Sequence, residues 1–334
     1  MMDASHSLLL VSDAVVRECL PMTAALSLVE AAFAADAQGK ARTFPVMVDF
    51  LPEQRAMFGI KSGHLGPLAG SPGGLGLKAG GYWPGNADRG RPAHQSLMLI
   101  FDPDTGAPLA LVAANAITSL RTGAAGGVAA RLLARQNARI VAVIGAGDQA
   151  RMQVEALRLV LPIHEVRVWS ARSDRAMRCA DEWSSTGLSA RAESTPQGAV
   201  MDADVVVTTT PSRQPVVRSE WIGEGVHINA MGADARGKNE VEGAILRRAT
   251  YVTDKTHQCA EIGELQHVLA DGLPDASLVY AELGQICAGQ KPGRTSEREV
   301  TLFDSTGCSF QDLVVAGYVM KMAEERGLAR RVDL

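Results

Sequence analysis

The chain is poor in cysteine, poor in aromatics and free of any long apolar run. Its five cysteines, Cys19, Cys179, Cys259, Cys287 and Cys308, are odd in number and scattered, with neither a CxxC nor a Cys/His ligand spacing. That argues against a disulfide framework or a zinc module and fits thiols in a reducing compartment; no metal site is expected. No stretch of about 18 uninterrupted apolar residues occurs, which argues against a membrane span. The N-terminus carries Asp3 and lacks the basic-then-apolar start of a secretory signal. Neither sign of charge dominates: 33 Lys and Arg against 37 Asp and Glu leave a formal −4. Without a basic field, nucleic acid is not an expected partner. The expectation is a cytoplasmic protein with neither a membrane nor a nucleic-acid partner.

What is present is ample core material. Hydrophobic residues make up 46% and charged residues 21% of 334, a length that suggests about two domains. Pro21 opens a helix-like run from Met22 to Gln38, closed by Gly39. From Arg42 to about Leu111 the signals are strand-like and punctuated by Gly and Pro (FPVMVDF, RAMFGIKSG, LGLKAGGYW, SLMLIFD), as in an antiparallel sheet. From Ile117 the texture changes. An Ala-rich helical stretch precedes RIVAVIGAG, then a helix, the strand EVRVWS, a third helix-like stretch, and the strands DVVVTTT, GVHINA and ATYVTD. Strands alternating with helices predict βαβ units and a doubly wound parallel sheet. The expected division is 1–116 with 307–334 returning to it, and 117–306.

The strongest local signal is Gly145-Ala-Gly147-Asp148-Gln149-Ala150, a GxGxxA pattern between strand and helix. Gly145 permits the tight turn, Gly147 lets backbone approach a pyrophosphate, and Ala150 allows close helix–sheet packing. The helix N-terminus adds N–H donors for phosphate. Asp148 and Gln149 are cofactor-site candidates whose side chains equally suit solvent. The next strand ends Trp169-Ser170-Ala171-Arg172-Ser173, where an NAD site usually puts an acid. Ser170, Ser173 and Arg172 suit a 2′-phosphate instead, so NADP is expected over NAD. Thr208 and Thr210 end a later strand, on the side expected for nicotinamide.

Several motifs together resemble the ornithine cyclodeaminase/mu-crystallin family: ARTFP (41–45), GLKAGGYWPGN (76–86), HQS (94–96), IFDPDTG (100–106), ITSLRTGAA (117–125), GAGDQA (145–150), NAMGADARGK (229–238), IGELQHV (262–268) and TLFDSTG (301–307). FGIKSG, GLKAGGYWPGN and HQS look most like the branch that reduces iminosuccinate to aspartate. The resemblance implies a Rossmann domain in the middle of the chain. It implies an α+β substrate and dimerisation domain from the N-terminal part and the last helix, and a homodimer.

An α-imino acid needs cations for its carboxylate and a proton source for its nitrogen. It also needs a reduced nicotinamide over the imine carbon. The resemblance assigns Arg42, Lys78 and Arg121 to the substrate carboxylate, and Asp234 to proton transfer. It assigns Thr306 to substrate contact, and His94, Thr122, Met231 and Ser305 to cofactor contacts. Apart from the resemblance, Arg42 equally suits a surface salt bridge, Arg121 a cap or phosphate contact, and Asp234 a turn. An acid donating near neutral pH needs a raised pKa, whereas neighbouring cations lower it; a protonated iminium substrate removes the conflict. Ala113 stands where some relatives carry an acid. Ornithine would want an acidic partner for its distal ammonium, and Glu53 is the nearby candidate. A dicarboxylate would want one more cation, and Lys61 is best placed. The expected activity is NAD(P)H-dependent reduction of an α-imino acid, with iminosuccinate favoured, or the reverse oxidation. The alternatives are pyrroline- or piperideine-2-carboxylate reduction, an ornithine or lysine cyclodeaminase with retained NAD, and a noncatalytic binder of NADPH and a small acid.

Overall fold

The computed structural model describes residues 7–270 and 276–333. In chain order the first elements are β1 (Ser7–Val11), α1 (Asp13–Cys19), α2 (Met22–Ala37), β2 (Ala41–Thr43), β3 (Met47–Leu51), β4 (Ala56–Leu65), β5 (Gly74–Tyr82), β6 (His94–Phe101), β7 (Pro108–Ala113) and α3 (Asn115–Leu133). There follow β8 (Ile140–Ile144), α4 (Asp148–Val160), β9 (Glu165–Trp169), α5 (Ser173–Ser185), β10 (Ser189–Ala192), α6 (Pro196–Val200), β11 (Val205–Thr208), β12 (Arg213–Val217), β13 (His227–Ala230) and β14 (Asn239–Val241). The last are α7 (Gly243–Arg248), β15 (Thr250–Thr253), α8 (Thr256–Ile262), α9 (Leu265–Ala270), β16 (Val279–Glu282), α10 (Leu283–Cys287), β17 (Thr301–Asp304), α11 (Ser309–Glu325) and β18 (Arg330–Asp333). They form two compact units. One holds the described residues up to Arg121 together with Cys308 onward, and the other is Thr122–Gly307.

The first unit is α+β. Its sheet runs β18-β1-β7-β6-β5-β4-β2, with β3 also paired to β4. All pairings are antiparallel except that of β1 with β7. Alternation sets its two faces. Met98, Ile100, Ala110 and Val112 are buried on one face. Helices α2 and α11 belong to the same unit, where Phe33 meets Phe310 edge-on at 5.3 Å, a contact worth about 1 kcal/mol beyond burial. The helix comes so close to the sheet that a Cβ at Gly63 would lie 2.3 Å from Ser309 Oγ.

The second unit is a Rossmann-type doubly wound sheet of eight parallel strands, in the order β10-β9-β8-β11-β13-β17-β15-β16. Parallel strands covered on both faces read as unbroken apolar runs. Val205, Val206 and Val207 in β11 accordingly have no exposure, nor have Val141 to Ile144 in β8. The helices present stripes at the 3.6-residue period: α5 buries Ala176, Cys179, Ala180 and Trp183. The strand order reverses between β8 and β11, the place where such sheets open a ligand crevice beyond their carboxyl ends. The third helix-like stretch of the sequence resolves into α5, β10 and α6.

Carboxylates replace backbone partners beside the ends of these strands. Glu240 accepts from Thr208 Oγ1 at 2.7 Å and Gly232 N at 2.7 Å, and also from Thr210 N. Glu264 accepts from Asn239 Nδ2 and Glu240 N at 2.7 and 2.8 Å. Asp304 accepts from Tyr251 Oη and from Glu264 N at 2.7 and 2.9 Å. Burial raises Glu240 and Glu264 above the ordinary carboxylate range, and pushes Asp304 up to about 7. Burial drives His227 the other way, to about 3, although its ring is hydrogen-bonded to Thr301 and Asn229.

These two shifts give opposite pH slopes. Between about pH 3 and 6.5 unfolding lets His227 take up a proton, so its contribution makes stability rise with pH. Between about pH 3.8 and 7 the folded state holds a proton on Asp304 that the unfolded state releases, so its contribution falls with pH. Asp304→Asn keeps an acceptor and removes the second slope. In urea denaturation from pH 4 to 6.5, the variant should gain stability with rising pH more steeply than the parent. The difference should reach up to about 1.4 kcal/mol per pH unit, one proton's worth. Parallel curves would contradict the Asp304 assignment.

Candidate active site

Two groups of side chains carry chemistry, one in each unit. In the first, Lys78 lies on β5, Arg121 on α3 and Asp312 on α11. Lys78 Nζ donates to Asp312 Oδ1 at 2.9 Å and to Thr118 Oγ1 at 3.2 Å. Arg121 Nε donates to the same Asp312 oxygen at 3.1 Å, and its Nη1 donates to Gln311 Oε1 at 2.9 Å. Asp312 is 1% exposed, Arg121 5% and Lys78 8%. Lys61 on β4 stands directly opposite Lys78 across the strand pair and acts electrostatically on both Lys78 and Asp312. Burial lowers Lys78 most; Asp312 raises it, Arg121 and Lys61 lower it, and the balance is about 7. Burial would raise Asp312, yet Lys78 and Arg121 outweigh it and hold the carboxyl below its ordinary value. Three cations thus share one carboxylate. Asp312 Oδ2 and Gln311 Nε2, both buried, have no partner among the described residues.

The sequence placed Lys78 and Arg121 at a common site but missed Asp312 and Gln311. An acid and an amide within the otherwise apolar helix SFQDLVVAG were the available signal. Arg42 is exposed on β2, with its guanidinium 5.7 Å over the Phe44 ring, and makes no hydrogen bond to the Lys78 network. His94 opens β6 and is half-buried. Glu53 is exposed.

In the second unit the glycine turn joins β8 to α4. Gly145 has φ +118°, and a Cβ there would sit 2.5 Å from Thr209 Oγ1, so only glycine fits. Gly147 is exposed and caps α4 without a side-chain bond, and a Cβ on it would meet open space. Unobstructed backbone at the N-terminus of a 13-residue helix is what a pyrophosphate requires; the residues present fit a dinucleotide. Asp148 is exposed, whereas Gln149 keeps a buried Oε1 without a partner among the described residues. After β9, Ser170 Oγ accepts from Arg172 N at 3.2 Å. Exposed Arg172 pairs with Asp174 at 3.1 Å, and Ser173 begins α5.

Asp234 lies four residues beyond β13 and is paired with Lys238 Nζ at 2.5 Å. Lys238 also donates to Gly232 O at 3.3 Å, and its own carbonyl meets His267 Nε2 at 2.7 Å. Thr208 is fully buried and directs its hydroxyl into Glu240, while Met231 and Thr122 are nearly buried. Beyond β17, Ser305 Oγ, Thr306 Oγ1 and Gly307 N all donate to Asp254. Gln258 Nε2 donates to Thr306 Oγ1 at 2.7 Å. Both hydroxyls are therefore engaged by Asp254, and that segment is held in shape from beneath. Asp254, Gln258 and Lys238 were not legible as partners, because each contact depends on where distant loops meet.

Fold and glycine turn together define a Rossmann-type α/β protein with a second, α+β unit. The sequence profile of the ornithine cyclodeaminase/mu-crystallin family matches residues 6–327, and the chain belongs to that family. Three solved structures are similar over nearly the whole chain. An archaeal alanine dehydrogenase dimer with bound NAD is 39% identical with a TM-score of 0.92, covering 98% of this chain and 99% of that one. The Δ1-pyrroline-2-carboxylate reductase of Thermococcus litoralis, in complex with NADH and L-proline, is 31% identical with a TM-score of 0.92, covering 97% and 100%. The iminosuccinate reductase of Paracoccus denitrificans, in complex with NAD+, is 38% identical with a TM-score of 0.89, covering 98% and 100%.

Proposed function

We propose that this protein is a nicotinamide-dependent oxidoreductase that reduces an α-imino acid to an L-amino acid, with iminosuccinate, giving aspartate, as its favoured substrate. The observation carrying the substrate class is the charge of the first unit's cluster. Lys78 and Arg121 are two buried cations on the single carboxylate of Asp312, and a third cation, Lys61, faces Lys78 from β4. That suits a dianion better than a monocarboxylate or a diamine. In this reading the first unit binds substrate and the second binds the dinucleotide.

The chemistry adds hydride to carbon and a proton to nitrogen of C=N, and reduced nicotinamide supplies the hydride when bound. Lys78 and Arg121 hold the α-carboxylate, Arg121 through its planar guanidinium, and Lys61 meets the distal carboxylate. Binding an anion favours the charged form of Lys78, offsetting its burial. Asp234 supplies the proton to nitrogen, or balances a protonated iminium, with Lys238 fixing its carboxylate. Thr306 and Ser305 shape the substrate- and nicotinamide-contacting segment, and Gly145 and Gly147 admit the phosphates. Arg42, His94, Thr122, Thr208, Thr210 and Met231 keep the contacts that the family resemblance or strand position implies, Thr208 through Glu240.

NADP is favoured through Arg172, flanked by Ser170 and Ser173. The Arg172–Asp174 pair is exposed and screened by solvent, so a 2′-phosphate can replace it. A homodimer follows from the first unit's other sheet face. Leu97 and Leu109 there are 43% and 38% exposed, and β3, paired to β4 farther along the sheet, carries exposed Met47, Val48, Phe50 and Leu51. Exposed large apolar residues of this kind mark an interface, and a second copy is the proposed occupant.

The deciding experiment follows loss of reduced-nicotinamide absorbance with NADH and NADPH. The panel is iminosuccinate, Δ1-pyrroline-2-carboxylate, Δ1-piperideine-2-carboxylate, and pyruvate plus ammonia. Oxidation fastest with iminosuccinate is expected, and none with any imine overturns the proposal. Ornithine or lysine losing ammonia without net cofactor change would identify a cyclodeaminase instead. Lys61→Met should lower kcat/KM for iminosuccinate roughly tenfold to a few hundredfold while sparing pyruvate plus ammonia; equal losses would remove Lys61 from the site. Arg172→Asp should shift preference toward NADH, and an unchanged NADPH/NADH ratio refutes the 2′-phosphate reading. Leu97→Glu with Leu109→Glu should give the mass of one chain in light scattering where the parent gives two. A persistent dimer would place the interface elsewhere.

A further inference from the structure

We propose that Asp312 is a positioning residue that holds Lys78 and Arg121 in place and keeps Lys78 charged for the substrate carboxylate. The inference rests on the function proposed above and goes beyond it, because Asp312 itself is buried too deeply to touch substrate. Its Oδ1 bridges the two cations, at 2.9 Å from Lys78 Nζ and 3.1 Å from Arg121 Nε. Three different elements supply the parts: strand β5, helix α3 and helix α11. Thr118 and Gln311 complete the cradle, so each cation has a second, neutral partner from a helix.

Two positive groups buried side by side repel one another and lose hydration; without a carboxylate between them one would shed its proton. Lysine is the group that yields, since guanidinium stays protonated. The charged groups acting on Lys78 are Asp312 from α11, which favours its proton, and Arg121 from α3 and Lys61 from β4, which disfavour it; burial disfavours it further. From β6, Lys78 faces Met98, which is neutral. Asp312 is thus the single opposing charge in that set. The pairing also orients: with Nε tied to Asp312 and Nη1 to Gln311, the plane of the guanidinium is fixed. An ammonium free to rotate, or a neutral amine, would bind the carboxylate poorly.

The test reads Lys78 directly and needs no substrate. The chain has seven lysines, so the protein labelled with ¹³C at lysine Cε gives a countable spectrum, and Lys78→Met assigns the Lys78 signal. In the parent, Lys78 should titrate far below the other lysines, near pH 7. In Asp312→Asn its midpoint should fall by at least one pH unit, a tenfold loss of proton affinity. In Asp312→Glu it should stay within a few tenths of the parent. Arg121→Gln leaves Asp312 in place and relieves the repulsion, so there the midpoint should rise. That variant decides the question if Asp312→Asn does not fold. With the active imine, Asp312→Asn should raise KM at least tenfold at pH 8, with a smaller change in kcat, and the pH at which KM begins to climb should move down with the Lys78 midpoint. Unchanged Lys78 midpoints in Asp312→Asn and Arg121→Gln overturn the proposal. Lack of oxidation across the whole imine panel would instead sink the proposed function, while the titrations still decide the role of Asp312.

Discussion

The carboxylate of Asp312, buried between Lys78 and Arg121, is the constraint on which the first unit depends. Two cations this deeply buried cannot be left without a counter-charge, and deleting one partner of such a set typically costs about 3–5 kcal/mol. The counter-charge arrives from 234 residues away along the chain in one case and 191 in the other. This gives a physical reason for the path of the polypeptide. Having built the whole second unit, it must return so that α11 can bring its acid beside β5 and α3. The return also explains why α11 is polar where a core helix is usually apolar. Ser309, Gln311 and Asp312 are all buried there, beside Phe310, Leu313 and Val314. One stretch of helix carries both the packing and the charge.

The second unit solves a related problem by different means. Loops at the carboxyl ends of parallel strands leave backbone N–H groups without ladder partners. Glu240 collects those of Thr210 and Gly232, Asp304 those of Glu264 and Leu265, and Asp254 that of Gly307. Each carboxylate is buried, and burial lifts Glu240, Glu264 and Asp304 toward their neutral forms. Acids near one another in low dielectric cannot all ionise. The loops that end β11, β13 and β17 are therefore fixed from below by side chains, and their outward surface is left to backbone and small residues.

Much of this was legible in the sequence because it is written locally. The GxGxxA turn, the unbroken apolar strands and the switch from strand-rich to alternating texture each lie within a few tens of residues. The strands that escaped notice are short: β1 and β18 at one margin of the first sheet, β10 and β16 at the two ends of the second, β17 within it, and the isolated β12–β14 pair. Strands of three to five residues offer too few alternations to reveal a period. Site residues divided the same way. Lys78 and Arg121 stand in recognisable motifs, but their common partner does not. Nothing in QDLVV marks Asp312 as an ion-pair centre until α11 is laid against β5. Thr208 and Thr306 show the converse case, where the residue type was visible but the direction of the hydroxyl was set by an acid elsewhere in the chain.

Charge also separates what this scaffold must share with its relatives from what it is free to vary. Any α-amino or α-imino acid presents an α-carboxylate, and under the proposed function the Lys78–Arg121 pair with its internal counter-ion is the part of the site that would meet it. Held in advance, the pair loses little conformational entropy on binding, which is where preorganised sites gain affinity. Lys61 is different: it is half-buried and faces Lys78 from the neighbouring strand, where it repels Lys78 and attracts Asp312. Under the proposed function, the third positive charge is the feature of the first unit that would distinguish a dicarboxylate from the one-carboxylate acids.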